Sequence, residues 1–172
     1  MNGTAPAGFV IEARAFRLAR WCSHNFWVLR GPEGQWLGEL HGLATDRRHG
    51  RPVPIGYARW HGLRAWHFSP ALGLTLCKPG QPRLLAFEGN ETAVHERWAL
   101  ALACIEPINR LDLAYPPGGV RLWGATCNSN SVFSTFAQAM GLPTPRFTGL
   151  WQPGLDCPIA LACLQAVTAE RR

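Results

Sequence analysis

At 172 residues, with 47% hydrophobic and only 16% charged side chains, the chain has the size and composition of one domain (1–172), with no segment polar enough to argue for disorder. Its formal charge of +6 comes mainly from arginines that are scattered except at "DRRHGR" and the terminal "ERR", a weak nucleic-acid signal that reads first as a solvated surface. No apolar stretch reaches the ~20 residues of a membrane-spanning helix and no signal-peptide pattern opens the chain, so the expectation is a soluble, cytoplasmic protein unless a specialised secretion system exports it.

In chain order, "FVIEARAFRLARW" sets Glu12, Arg14 and Arg17 among apolar residues, close to the alternation of a strand with one exposed face. "HNFWVL", "RGPEGQ" and "WLGELHGLAT" read as strand, glycine-proline turn and strand, a hairpin. Residues 50 to 85 are rich in Pro, Gly and Trp and carry only short strands or loops, at "ARWHGLRAWHF" and "LLAFEG". From Glu91 the spacing turns helical through "ETAVHERWALALACIEPINRL", with Asn90 or Thr92 placed to cap the start and Pro107 near the end. After a loop-like "LDLAYPPGGVRLW", "NSVFSTFAQAM" predicts a second helix stopped by Gly141 and Pro143. "DCPIALACLQAVTAE" predicts a third, capped by Asp156 with Pro158 in its first turn. The fold class is α+β, an antiparallel, strand-rich first half packed on a helical second half.

The six cysteines, Cys22, Cys77, Cys104, Cys127, Cys157 and Cys163, include no CxxC pair, and a chain this long and apolar does not need disulfide staples. Reduced thiols are expected, with Cys104 and Cys163 as small buried hydrophobes. Neither a metal site nor a cofactor is expected: His61 and His67 are six apart, with no ligand logic, HExxH is absent, and "PPGGV" lacks the lysine and helix of a phosphate loop.

The densest chemistry lies in "TCNSNS", residues 126 to 131, at the start of the second helix. Unpaired backbone N–H groups and the positive end of the helix dipole favour negative charge there, so a hydroxyl or thiol nucleophile would gain an oxyanion site from its neighbours. A serine also needs a base, and the base an orienting partner. His24 and His41, on the two arms of the predicted hairpin, supply that pair. The plainer reading is that Asn128, Ser129 and Asn130 cap a helix and that the histidines are ordinary.

These residues carry a resemblance. "NSNSVF" resembles the "NCxxF" signature that opens the catalytic helix of circularly permuted papain-like hydrolases, the clan of permuted NlpC/P60 enzymes, PPPDE peptidases and lecithin retinol acyltransferase relatives. "HNFWVLRG" is similar to the clan's histidine strand, and "GELHGL" to the following strand, which carries a further histidine in the acyltransferase branch. The order His24, helix from Glu91, Tyr115, Trp123, "NSNSVF" also resembles an uncharacterised bacterial family with an NSNS/T motif.

The resemblance implies a permuted papain-like fold and a hydrolase or acyltransferase that cleaves an amide or ester in a peptide, cell-wall or lipid substrate. Ser129 then stands where the clan has cysteine, His24 is the base, His41 holds the imidazolium, and backbone N–H groups with Asn128 or Asn130 receive the oxyanion. Three readings stay open: Ser129 as nucleophile, Cys127 as nucleophile with a thiol pKa lowered by the helix terminus, or an inactive scaffold that binds a protein or nucleic acid. A bacterial effector with an immunity protein as partner also fits the resemblance.

Overall fold

The computed structural model describes residues 8–18, 21–53, 56–121 and 126–161. The chain is α+β, with an antiparallel sheet of six strands followed by helices. The strands are β1 (Phe9–Arg17), β2 (Ser23–Arg30), β3 (Trp36–Asp46), β4 (Arg51–Pro52), β5 (His61–Phe68) and β6 (Arg83–Gly89). They are ordered β4-β3-β2-β1-β6, with β5 also pairing along β3. The helices are α1 (Glu91–Ala103), α2 (Ile105–Arg110) and α3 (Ser129–Ala139). Among the described residues no helix is long and apolar enough to cross a membrane. Cys22, Cys77, Cys104, Cys127 and Cys157 are free thiols; Cys163 lies outside the described residues.

One sheet face builds the core. Ile11, Ala13, Trp27, Leu40 and Leu63 pack against Val94 and Trp98 of α1, Ile108 of α2, and Val132, Phe133 and Phe136 of α3. Trp27 centres the contact, its ring stacked 4.5 Å from that of Phe133 and its indole N–H donating to the Phe133 carbonyl at 2.9 Å. At roughly 25 cal/mol per Å² of apolar surface, one such aromatic contributes several kcal/mol.

The other face departs from expectation. Glu12 and Arg14 are buried rather than solvated, because residues 75–78 cross over them. Burial is tolerated because the charges are matched: Arg14 Nε and Arg30 Nε donate to Glu12 Oε1 at 2.8 and 2.7 Å, and Arg14 Nη1 reaches the Lys78 carbonyl at 3.2 Å. Such a network adds little net stability, but losing one partner strands a buried charge.

The helical expectations also need adjustment. Asn90 caps α1, its side chain accepting from the Ala93 N–H at 2.9 Å, but the run from Glu91 breaks at Cys104 into α1 and α2. Pro107 explains the break: it has no N–H for the Ala103 carbonyl, and its ring would collide with it. α3 ends at Gly141, whose φ of +65° admits the left-handed turn in which the Leu142 N–H reaches the Ala137 carbonyl at 2.9 Å. No helix starts at Asp156: residues 157–160 are irregular and the Ile159 N–H bonds Thr135 Oγ1 of α3 at 2.8 Å. The rest of that expected helix, from residue 162, lies outside the described residues, as does Trp123.

Candidate active site

The site forms where β2 and β3 part. Their ladder runs from Arg30↔Trp36 to Trp27↔Leu40 and stops, and β3 continues against β4 and β5. The start of α3 takes up the freed edge of β2. The Asn130 side chain accepts from the Asn25 N–H at 2.9 Å and donates to the Ser23 carbonyl at 3.1 Å, giving β2 the two bonds a strand neighbour would have made. On the β3 side the helix needs Gly42: a Cβ there would lie 2.5 Å from Val132 Cβ and 2.9 Å from the Ser129 carbonyl oxygen. A close approach of this kind is what glycine permits.

Asn128 caps α3. Its Oδ1 accepts from the Asn130 N–H at 2.8 Å, and Ser131 Oγ accepts in return from the Asn128 N–H at 3.1 Å. Its amide group donates to the carbonyls of Gly119 at 2.6 Å and Pro153 at 3.0 Å. An oxyanion role for Asn128 or Asn130 would have to give up one of the bonds that hold the helix. Both side chains and the Asn130 N–H are committed to folding the helix onto the sheet, with the Asn130 amide also donating to Pro153 O at 3.1 Å. Among the described residues the first-turn N–H of Ser129 has no acceptor, which leaves it as the free backbone donor at the start of α3.

Beyond the ladder, side chains span the gap. His24 Nε2 lies 3.1 Å from His41 Nδ1, and His41 Nε2 lies 2.8 Å from Glu39 Oε2, all three residues being buried. Glu39 was not a candidate from sequence. It shares a face of β3 with His41 because strand side chains repeat every two residues. Burial alone would raise its carboxyl, but hydrogen bonds from His41, the Thr75 hydroxyl and the Leu76 N–H outweigh that and hold it below its ordinary value. Burial lowers both histidines, His24 to about 3 with repulsion from His41 added, while the bond to Glu39 partly opposes the fall at His41. Both imidazoles are neutral at pH 7.

Those charge states fix the protons. The ionised Glu39 has only lone pairs, so His41 Nε2 carries the proton toward it and His41 Nδ1 is an acceptor. His24 Nε2–H then donates to His41 Nδ1, and His24 Nδ1 is left with a free lone pair. The line Glu39, His41, His24 thus presents a basic nitrogen at its far end.

A cavity of about 350 Å³ lies at that end, lined by His24, Tyr115 and Ser129 among mostly apolar residues that include Phe16, Leu43, Val53 and Phe68. Tyr115 and Ser129 face the same cavity, and burial pushes the Tyr115 phenol up despite the opposing influence of the Ser129 hydroxyl, so it stays protonated. No hydrogen bond joins Ser129 directly to His24 among the described residues. The structure therefore brings Ser129 and His24 to one cavity, with His41 behind His24 and Glu39 behind His41. Cys127 does not line this cavity, and burial pushes its thiol up rather than down, countering the thiolate expected from its place near a helix start. Among the described residues no group of three or more His, Cys, Asp or Glu side chains is arranged to hold a metal ion.

Two functional residues were missed in sequence as side chains with roles. Glu39 carries a legible signal, an acid two positions before a histidine on a predicted strand. Tyr115 was named only through its place in the family resemblance, with no role attached, since a loop brings it to the site. Comparison of the chain with protein-family models, curated proteins and solved structures gave no match, and the reading of the site rests on its own geometry.

Proposed function

We propose that the protein is an acyl-transfer enzyme, a hydrolase or acyltransferase for an ester or amide, using Ser129 as nucleophile and His24 as general base on a scaffold of the permuted papain type. The observation that carries this reading is the buried line Glu39, His41, His24 ending in the cavity that Ser129 lines. A carboxylate and two neutral imidazoles in one hydrogen-bonded row are costly to bury, and their use is to take up a proton at the open end.

In the cycle, a substrate carbonyl enters the cavity that Ser129, Tyr115 and His24 line. Ser129 Oγ bonds to the carbonyl carbon as its proton passes to His24 Nδ1, and the pair of electrons released from the C=O double bond rests on oxygen. The Ser129 N–H and the Tyr115 O–H are the donors nearest that oxyanion. The tetrahedral species collapses, the bond to the leaving oxygen or nitrogen breaks, and the imidazolium returns its proton to the leaving group. Water or a second acceptor then repeats the sequence on the acyl-serine and regenerates the enzyme. Glu39 matters most while His24 is cationic, because its charge reaches that cation through His41.

The test is turnover of activated esters by the wild-type protein, Ser129→Ala and His24→Ala. Loss of activity in both variants, with folded circular dichroism spectra retained, supports the reading. The second reading, an inactive scaffold that binds a partner, draws on the missing direct bond between Ser129 and His24 and on the low basicity of His24 in the empty cavity. It predicts that neither variant differs from wild type.

A further inference from the structure

Resting on that acyl-transfer reading, we infer that the cavity beside Ser129 holds an unbranched hydrocarbon acyl chain of medium length, and that the substrate is an ester of such a chain rather than a peptide. The polar groups on the wall are almost all spent. His24 Nε2 is taken by His41, and the Thr75 hydroxyl by Glu39, leaving His24 Nδ1, Ser129 and Tyr115 as the polar side-chain groups on the wall. The remaining lining that matters for substrate is apolar: Phe16, Leu43, Val53, Phe68 and Leu74. Among the described residues no charged side chain lines it.

A peptide would carry an N–H and a C=O into this space at every residue, each losing its bonds to water without replacement. An alkyl chain loses nothing polar and removes its own apolar surface from water. The few polar groups on the wall then meet the carbonyl, which is the one polar group of an acyl chain.

Size and opening agree with this occupant. An engineered cavity of about 150 Å³ holds a six-carbon ring, so by proportion 350 Å³ holds at most about fourteen carbons, and roughly eight to twelve once the mouth open to solvent at Leu18 and Leu74 is discounted. The apolar lining also continues outward: Leu74, 48% exposed, and Leu18, 36% exposed, line the cavity and reach solvent, so a chain meets apolar surface before it enters.

The experiment is kcat/KM for p-nitrophenyl esters of straight-chain acids from two to sixteen carbons, on wild type, Leu43→Trp and Leu74→Asp, with dodecanoate binding to Ser129→Ala measured calorimetrically. The expected result is a rise of about fourfold per methylene that levels near eight to twelve carbons, an optimum moved to shorter chains by Leu43→Trp, and a smaller gain per methylene in Leu74→Asp. The exposed Leu74 keeps the test open where Leu43→Trp fails to fold. Turnover that depends on Ser129 but is flat or falling with chain length overturns the chain assignment and leaves the acyl-transfer reading standing. No turnover at any length overturns the acyl-transfer reading, and dodecanoate binding then decides whether the cavity accepts a chain: absence of binding removes the inference as well.

Discussion

Replacing Glu39 by glutamine separates the charge of the buried carboxylate from its shape. Oε2 receives His41 Nε2–H at 2.8 Å and the Leu76 N–H at 2.9 Å, while Oε1 receives the Thr75 hydroxyl and the Cys77 N–H at 3.2 Å. The amide has one acceptor oxygen, and it will face His41 and Leu76, because the Thr75 hydroxyl can turn to accept and the Cys77 N–H already bonds Thr75 Oγ1 at 2.9 Å. The proton positions on both histidines are then unchanged. What is lost is the charge, and a hydrogen bond to a charged acceptor exceeds a neutral one by about 1 kcal/mol, so two retained bonds imply about 2 kcal/mol of lost stability.

The same weakening applies to the imidazolium formed on His24 during attack. At about 1.4 kcal/mol per tenfold in rate, a loss of 1–2 kcal/mol lowers kcat/KM by roughly 5- to 30-fold. The assay pairs urea unfolding with ester turnover, and ¹⁵N shifts of the His24 ring report which nitrogen holds the proton. A variant destabilised as expected but turning over within twofold of wild type would refute the coupling of Glu39 to His24. A changed His24 tautomer would refute the proton assignment.

Other consequences follow from the same geometry. Because the folded chain keeps His24 neutral down to about 3 while the unfolded chain protonates it near 6.5, its contribution is whole above pH 6.5 and is lost as pH falls toward 3. The loss approaches roughly 5 kcal/mol at about 1.4 kcal/mol per unit. The low Glu39 carboxyl acts in the same direction. Urea midpoints should stay level from pH 8 to about 6.5 and fall from there to pH 4, and His24→Gln should flatten that fall; equal slopes below pH 6.5 in both proteins would contradict this.

Gly42→Ala forces Val132 and the Ser129 carbonyl away from β3. A loss of about 1–3 kcal/mol and a drop in Ser129 reactivity are expected. A variant as stable and as reactive as wild type would show that α3 is not wedged there. Iodoacetamide should modify Cys127 no faster than an ordinary unperturbed thiol at pH 7.5, since burial raises its pKa. Rapid, His24-dependent alkylation would return Cys127 to the role of nucleophile.

The sequence was most readable where one local rule governs. Alternation and a Gly-Pro-Gly turn gave the β2–β3 hairpin, and the Asn128 and Asn90 caps marked α3 and α1 to within a residue or two. It was least readable where distant segments meet. Nothing near Glu12 and Arg14 says that residues 75–78 will cover them, so their polarity read as exposure. Asn130 has the composition of a cap or an oxyanion donor, yet it bonds the edge of a strand 105 positions away. For the candidate site, the placement of Ser129, His24 and His41 followed from element order. Glu39 emerged only when β3 was placed beside the cavity, and Tyr115, named before only through the family resemblance, gained a place there once the loop after α2 was set against it.

The most direct test of the central claim is covalent labelling by a fluorophosphonate, read by intact mass and peptide mapping, on wild type, His24→Ala and Ser129→Ala. The account predicts one adduct, on Ser129, lost in both variants. An unlabelled wild-type protein, or a Ser129 adduct formed as fast without the His24 imidazole, would contradict it.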